Sequence, residues 1–229
     1  MLAVLTKAIA VASGGLLSIG SILIVLLLLS SVGGLKKALS YYAGYFGGYL
    51  TIGFVGLMVS EALLSDASAG GGDSQSMVTP IISLIMGTLM LTFGFRKWRS
   101  PKEESPEPPK LFAKLDSMSA PKIMAFGAAI TFINFKNLAI YLSAVSIVLE
   151  GGLAFQQQAV SIVAVAFVFC LGVISPILLF LAIAERAMPL LQSFKAYLER
   201  NNRTLAITAF SLFGTIFFSR GVMGLLAFV

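Results

Sequence analysis

Asn134-Phe135-Lys136-Asn137 interrupts an apolar run that is otherwise long enough to cross a bilayer. Ile123 to Ile133 precedes it and Leu138 to Leu149 follows it. An ionised side chain near the bilayer centre costs at least ~2.5–3.5 kcal/mol on insertion scales, so such groups face a bundle interior or a solute path. Lys136 stands about fifteen residues from either end of the run, roughly 22 Å at helical rise, which is beyond easy snorkelling. The asparagines beside it are polar too. The stretch therefore reads as a buried, positively charged site inside a membrane.

The rest of the chain agrees with a membrane setting. Of 229 residues, 58% are hydrophobic and 11% charged, and the mean hydropathy is +0.95. A soluble domain of this length needs far less apolar surface. Stretches of the ~20 residues that a span requires occur six times, near Leu5–Ser31, Leu39–Val59, Met77–Phe95, Ala120–Leu149, Gln158–Ala184 and Thr204–Phe228. The first could be read as a signal peptide, but its apolar part is long and no small-x-small cleavage site ends it, so it is expected to stay as a span. The fold class expected is an all-α polytopic membrane protein.

Charge placement orients the spans. Thirteen of the sixteen basic residues fall in loops one, three and five, whereas loops two and four hold only Glu61, Asp66, Asp73 and Glu150. Cytoplasmic loops collect Lys and Arg, which puts both termini outside the cytoplasm. The basic residues flank spans and form no single groove-facing surface, so nucleic acid is not an expected partner. The chain has no histidine, one cysteine, and carboxylates only in loops or at span ends. A metal path normally needs His, Cys or several inward carboxylates, and no metal or other cofactor is expected. Cys170 reads as a small packing residue.

The chain divides near its middle. Residues 98–119 form a polar linker containing Ser100-Pro-Lys-Glu-Glu-Ser-Pro-Glu-Pro-Pro109. Its end from Lys110 to Ser117 reads either as plain linker or as a short helix on the cytoplasmic leaflet, with Leu111, Phe112 and Leu115 on one face. Residues 1–97 and 120–229 then carry three spans each. Three is odd, so equivalent spans run in opposite directions, as in an inverted repeat. Ser18-Ile19-Gly20-Ser21 in span one and Asn134–Asn137 in span four lie 116 residues apart. The same offset carries span two onto span five. Matched interruptions in two halves point to a shared site at the midplane. The bland alternative is that Ser18, Gly20 and Ser21 only let helices approach closely.

Other features read as packing. Gly44, Gly48, Gly53 and Gly56 in span two suit close helix crossings. Tyr41 and Tyr42 stand where an interfacial aromatic belt is expected. Pro176, after Ser175 in span five, removes a backbone donor and reads as a kink that is either a gate or a bend.

These residues also resemble a family. A basic loop leads through Pro109-Lys-Leu-Phe112 to the small-residue helix Ala125-Phe126-Gly127 and then to Asn134-Phe135-Lys136-Asn137-Leu138. That order is similar to the Sap/GAP group, the sulfolipid-addressing proteins of the LysE (lysine exporter) superfamily, with its Asn-Pro-Lys-Asn-Leu motif. Leu17-Ser18-Ile19-Gly20-Ser21 looks like the group's Leu-Ser-Pro-x-Pro element, and Asn202 to Leu226 fits its last helix. Phe135, Ile19 and Ser21 stand where the group has prolines. Two structures stay open: broken helices, or continuous helices whose polar residues line a cavity. The resemblance implies a LysE-like fold of six transmembrane helices in two inverted three-helix repeats. It also implies a multi-pass protein of the bacterial inner membrane that exports a solute or translocates a lipid.

The expected function is movement of an anionic small solute or glycolipid through a midplane site. Lys136 anchors the acidic group, Asn134 and Asn137 bond beside it, Ser18 and Ser21 line the facing wall, and Gly20 and Pro176 are the gating or kink positions. One alternative is a non-transporting accessory or scaffold protein of an envelope-lipid assembly; a second is an amino-acid exporter of the LysE type. Membrane lipids are expected neighbours, and a second copy of the chain or lipid-biosynthesis proteins are candidate partners. An enzyme is disfavoured, because no histidine or intramembrane carboxylate stands ready as a base for Ser18, Ser21 or Ser143.

Overall fold

The structure is a computed structural model that describes residues 1–69, 78–99, 115–183 and 187–226. Among these residues the secondary structure is helical, with no strand. The helices are α1 (Leu2–Ala12), α2 (Ile19–Leu29), α3 (Gly34–Ala69), α4 (Val78–Arg99), α5 (Ala120–Ile133), α6 (Phe135–Leu149), α7 (Phe155–Ile183) and α8 (Ala187–Leu226). A 3₁₀ segment, Ser13–Leu17, joins α1 to α2.

By length and composition, Gly34–Glu61 and Phe155–Ile183 can each cross a membrane. Leu2–Leu17 with Ile19–Leu29 passes the same test as a pair bent by 53°, and Ala120–Ile133 with Phe135–Leu149 as a pair bent by 76°. The chain is thus a helical membrane protein with two to four such spans among its described residues. The bent pairs settle the question that the missing prolines left open. Both helices break, and they break inside the polar runs. Each bent pair is followed by a reversal that uses a left-handed glycine, Gly33 at φ 69° and Gly152 at φ 62°, a conformation that only glycine adopts cheaply.

Packing divides the chain into two compact units, Met1–Ser60 with Ser105–Arg200, and Glu61–Glu104 with Asn201–Val229. Each unit takes residues from both sides of the linker. In the first, α1 packs on α6 and α7, and both α2 and the 3₁₀ segment pack on α7. The residues that allow this are small. A β-carbon on Gly172 would strike the Leu16 backbone, and one on Gly15 would strike Phe169. Against α5, a β-carbon on Gly44 would strike the Met124 backbone, and one on Gly127 the Tyr41 carbonyl. Gly44 and Gly48 of span two therefore serve the close crossing that their spacing suggests, whereas Gly56 makes only ordinary contacts. In the second unit, Gly87 meets Phe218, Leu91 meets Gly214, Leu84 meets Gly221 and Pro80 meets Gly224. This register runs antiparallel along the whole contact. Arg203 donates to the Trp98 carbonyl at 2.8 Å, closing the end of α4.

Part of the linker lies outside the described residues, including most of the candidate surface helix from Lys110. Leu115 is buried. Asp116 is held by Lys37, whose ammonium lies 2.7 Å from its carbonyl and 3.2 Å from its carboxylate. Tyr41 is fully buried and does not belong to an interfacial belt. It faces inward because it shares the α3 face of Tyr45 and Tyr49 at four-residue spacing.

Gly44→Ala should destabilise the purified protein by about 1–3 kcal/mol through overpacking against the α5 backbone. Gly20→Ala is the control, since a β-carbon there meets nothing within 4 Å. Thermal melting in detergent should show a drop of several degrees for the first and none for the second.

Candidate functional site

The two breaks share one backbone conformation. Ser18 has φ −78° and ψ 64°, and Asn134 has φ −84° and ψ 77°. Both sit near the inverse γ-turn minimum, which ends one helix and lets the next leave at an angle. Beyond each break the new helix starts from the break residue's own carbonyl, with Ile22 N–H on Ser18 at 3.0 Å and Leu138 N–H on Asn134 at 2.9 Å. The Asn134 side chain also caps its helix, accepting from the Asn137 N–H at 3.3 Å.

A break inside a membrane frees backbone groups that lipid cannot satisfy. Here the breaks satisfy each other. The half-buried Lys136 donates its ammonium to the Leu17 carbonyl at 3.3 Å, at the end of the first half-helix. A cation on the last carbonyls of a helix also meets the negative end of its dipole. One residue on, the Asn137 amide donates to Ser18 Oγ at 2.5 Å and to the Tyr45 hydroxyl at 3.2 Å. Ser18 and Tyr45 complete the triangle at 3.0 Å. Among the described residues no carboxylate pairs with Lys136.

Around the triangle lies unused hydrogen-bonding capacity. Ser21 Oγ, the Tyr41 and Tyr49 hydroxyls and Asn137 Oδ1 are buried without a partner among the described residues. Ser21 lies beside Tyr41 and Tyr45 but closes no hydrogen bond. The Tyr45 and Tyr49 rings meet edge-on with centroids 5.0 Å apart, and Tyr49 lies 4.8 Å from Tyr141. An unpaired buried hydroxyl costs roughly 1–3 kcal/mol. Such a cluster is unusual in a bundle built only to pack.

The chain matches the family described as Sap, sulfolipid-1-addressing protein, over residues 8–223. It belongs to that family. No curated protein and no solved structure matches it.

Of the residues that the sequence of this Sap-family chain singled out, the structure gathers Ser18, Ser21, Asn134, Lys136 and Asn137 around the paired breaks. Gly20 lies just past the first break, exposed, with open space where its side chain would be. Pro176 is buried inside a continuous α7. The Gly172 carbonyl that its ring deprives of a donor is taken by Ser175 Oγ at 2.9 Å, and Gly172 abuts Leu16 of the 3₁₀ segment. Sequence reading missed Tyr45, the third member of the triangle, and its neighbour Tyr49. Their signal was the four-residue spacing of Tyr41, Tyr45 and Tyr49, which places three hydroxyls on one helix face.

Ser18→Ala and Asn137→Ala should each destabilise the protein by about 1–3 kcal/mol, because each strands a buried polar partner. The double variant should cost less than their sum by at least ~0.5 kcal/mol, since the two lose one shared bond. Denaturant unfolding of the four proteins measures this coupling, and strict additivity would show that the breaks are held independently.

Proposed function

We propose that the chain is an inner-membrane exporter or lipid-translocating protein that carries an anionic solute or glycolipid through the site at Lys136. The observation that carries this reading is the partner of the lysine. Its ammonium holds a neutral backbone carbonyl and no carboxylate. A carboxylate, sulfate or phosphate forms a charge-assisted hydrogen bond roughly twice as strong. An arriving anion therefore draws Lys136 away from Leu17 and loosens one of the two contacts between the breaks, leaving Asn137 on Ser18. The spare capacity of Ser21, Tyr41, Tyr49 and Asn137 then meets the hydroxyl or amide groups of the cargo. A cationic side chain is repelled at this place, which disfavours a lysine-type amino-acid cargo. The family's description by sulfolipid-1 addressing accords with a lipid that bears an acidic group.

The architecture we infer is six spans in two inverted three-helix repeats, as in LysE-like proteins, with residues 98–119 as the cytoplasmic linker between residues 1–97 and 120–229. Its support is the matched pair of breaks. They share a 116-residue offset and near-identical dihedrals, and each bent pair closes on a left-handed glycine. Helices α4 and α8 supply the remaining spans. One observation favours a second reading, a non-transporting accessory protein of an envelope-lipid assembly: Ser18, Ser21 and Asn137 are at most 1% exposed, so the site is closed.

In cells lacking the gene, wild type should restore a set of acidic lipids or solutes outside the inner membrane, read by mass spectrometry. Lys136→Met should insert normally yet lower that export roughly ten- to hundredfold, the worth of a lost charged hydrogen bond. Lys136→Arg should keep part of it. Full export by a stably inserted Lys136→Met chain would falsify the mechanism and leave the accessory role.

We infer from the concentration of basic residues in loops one, three and five that both termini lie outside the cytoplasm. A cysteine at Ser105 should resist a membrane-impermeant thiol reagent in intact cells, while one at Ser68 should react; Cys170 is buried and supplies no background. The reverse pattern inverts the topology.

A further inference from the structure

Seven buried polar atoms lack a partner among the described residues, and all lie in the first unit. Those of Ser21, Tyr41, Tyr49 and Asn137 belong to the paired breaks. The other three, Tyr141 Oη, Ser161 Oγ and Gln158 Oε1, continue in one direction away from them. Tyr49 meets Tyr141 with ring centroids 4.8 Å apart, and both pack on Phe169 of α7, at 4.7 and 5.3 Å. A β-carbon on Gly53 would strike both the Tyr141 hydroxyl and Ile162, so the hydroxyl reaches α7 over the bare glycine. Ser161 precedes Ile162, and Gln158 lies one helical turn before it. Both share the buried stripe of Ile162, Val165 and Phe169. Gln158 Nε2 donates to the Leu153 carbonyl at 2.8 Å, in the turn that joins α6 to α7.

From Tyr45 to Gly53 this line follows α3 for about 12 Å, and from Ile162 to Gln158 it follows α7 for about 6 Å more. That is over half of a hydrocarbon core of about 30 Å. Toward its end the walls loosen. A β-carbon on Gly56 would meet Val145 at 3.7 Å and Leu149 at 4.0 Å and nothing nearer, unlike the blocked positions at Gly44 and Gly127. Orphaned hydroxyls and amides are costly where they only pack, and here they form one line instead of scattering. Their chemistry specifies the occupant. Each donates or accepts hydrogen bonds and carries no charge. The line therefore bonds water and neutral polar groups without holding an ion fast, which lets a solute leave as well as enter.

We propose that the line from Tyr49 through Tyr141 to Ser161 and Gln158 is the leg of the solute path that leads from the paired breaks to the turn between α6 and α7, and that it fills with water when the bundle opens. In the closed form Tyr141 and Ser161 are fully buried, and their orphaned hydroxyls bias the protein toward opening. The role as a path rests on the transport reading above; the wetting of the line needs neither a cargo nor Lys136.

The sign of a stability change tests this first, on the full-length chain in mild detergent. Tyr141→Phe removes an orphaned hydroxyl and should raise the melting temperature by a few degrees. Tyr45→Phe removes a hydroxyl bonded to Ser18 and Asn137 and should lower it. Water access tests it second. On a Cys170→Ala background, Ser161→Cys should react with a small water-soluble thiol reagent at least about tenfold faster than Val173→Cys. Val173 is equally buried on α7 but lies past the tight seat of Gly172 on Leu16. Adding Tyr141→Phe should slow the Ser161→Cys reaction severalfold, because an apolar lining resists wetting. Adding Lys136→Met should leave that reaction in place, which keeps the test separate from the anion mechanism. A lower melting temperature or a failure to fold in Tyr141→Phe, equal reactivity of Ser161→Cys and Val173→Cys, no slowing by Tyr141→Phe, or loss of the reaction in Lys136→Met each overturns the proposal.

Discussion

The carbonyl of Leu17 has no helix left to satisfy it. The chain turns at Ser18, and in a bilayer interior a bare carbonyl costs several kcal/mol unless protein supplies a donor. The donor comes from 119 residues away, as the ammonium of Lys136. That one contact binds the two breaks into a single object. Asn137 repeats the logic one residue later, satisfying Ser18 and Tyr45 together. Neither break is self-sufficient, and the packing of α1, α2 and the 3₁₀ segment on α6 and α7 brings the partners together. A third disruption, at Pro176, is solved locally, because Ser175 sits next to the orphaned carbonyl in sequence. Local repair leaves α7 continuous, whereas repair at a distance couples two bent helices.

The contrast explains what the sequence made legible. The runs at Ser18–Ser21 and Asn134–Asn137 were visible because polar residues in an apolar stretch are costly. Their pairing was visible because the offset was constant. That they break their helices was not visible, since Ile19, Ser21 and Phe135 remove the prolines whose local effect could be read from sequence. The driving force lies in long-range partners instead: the ammonium, the amide, and the tight seat of Leu16 against Gly172. Tyr41 shows the opposite failure. Its place near a basic loop suggested an interface, but the spacing of Tyr41, Tyr45 and Tyr49 was the stronger signal and turns all three inward.

The choice of partner for Lys136 bears on reversibility. A buried lysine paired with a carboxylate is hard to separate, because parting the pair leaves an uncompensated charge at a cost of roughly 3–5 kcal/mol. A lysine on a carbonyl leaves behind only a neutral acceptor when it moves, and an incoming anion gives the ammonium a better partner at once. In the mechanism proposed above, that exchange reaches the anion-bound state without first passing through a stranded charge. The hydroxyls of Tyr41, Tyr49 and Ser21, buried without a partner among the described residues, are the groups that the proposed cargo would bond. The closed site holds Lys136 on a neutral carbonyl, the contact that the proposed anionic cargo would exchange for its own acidic group.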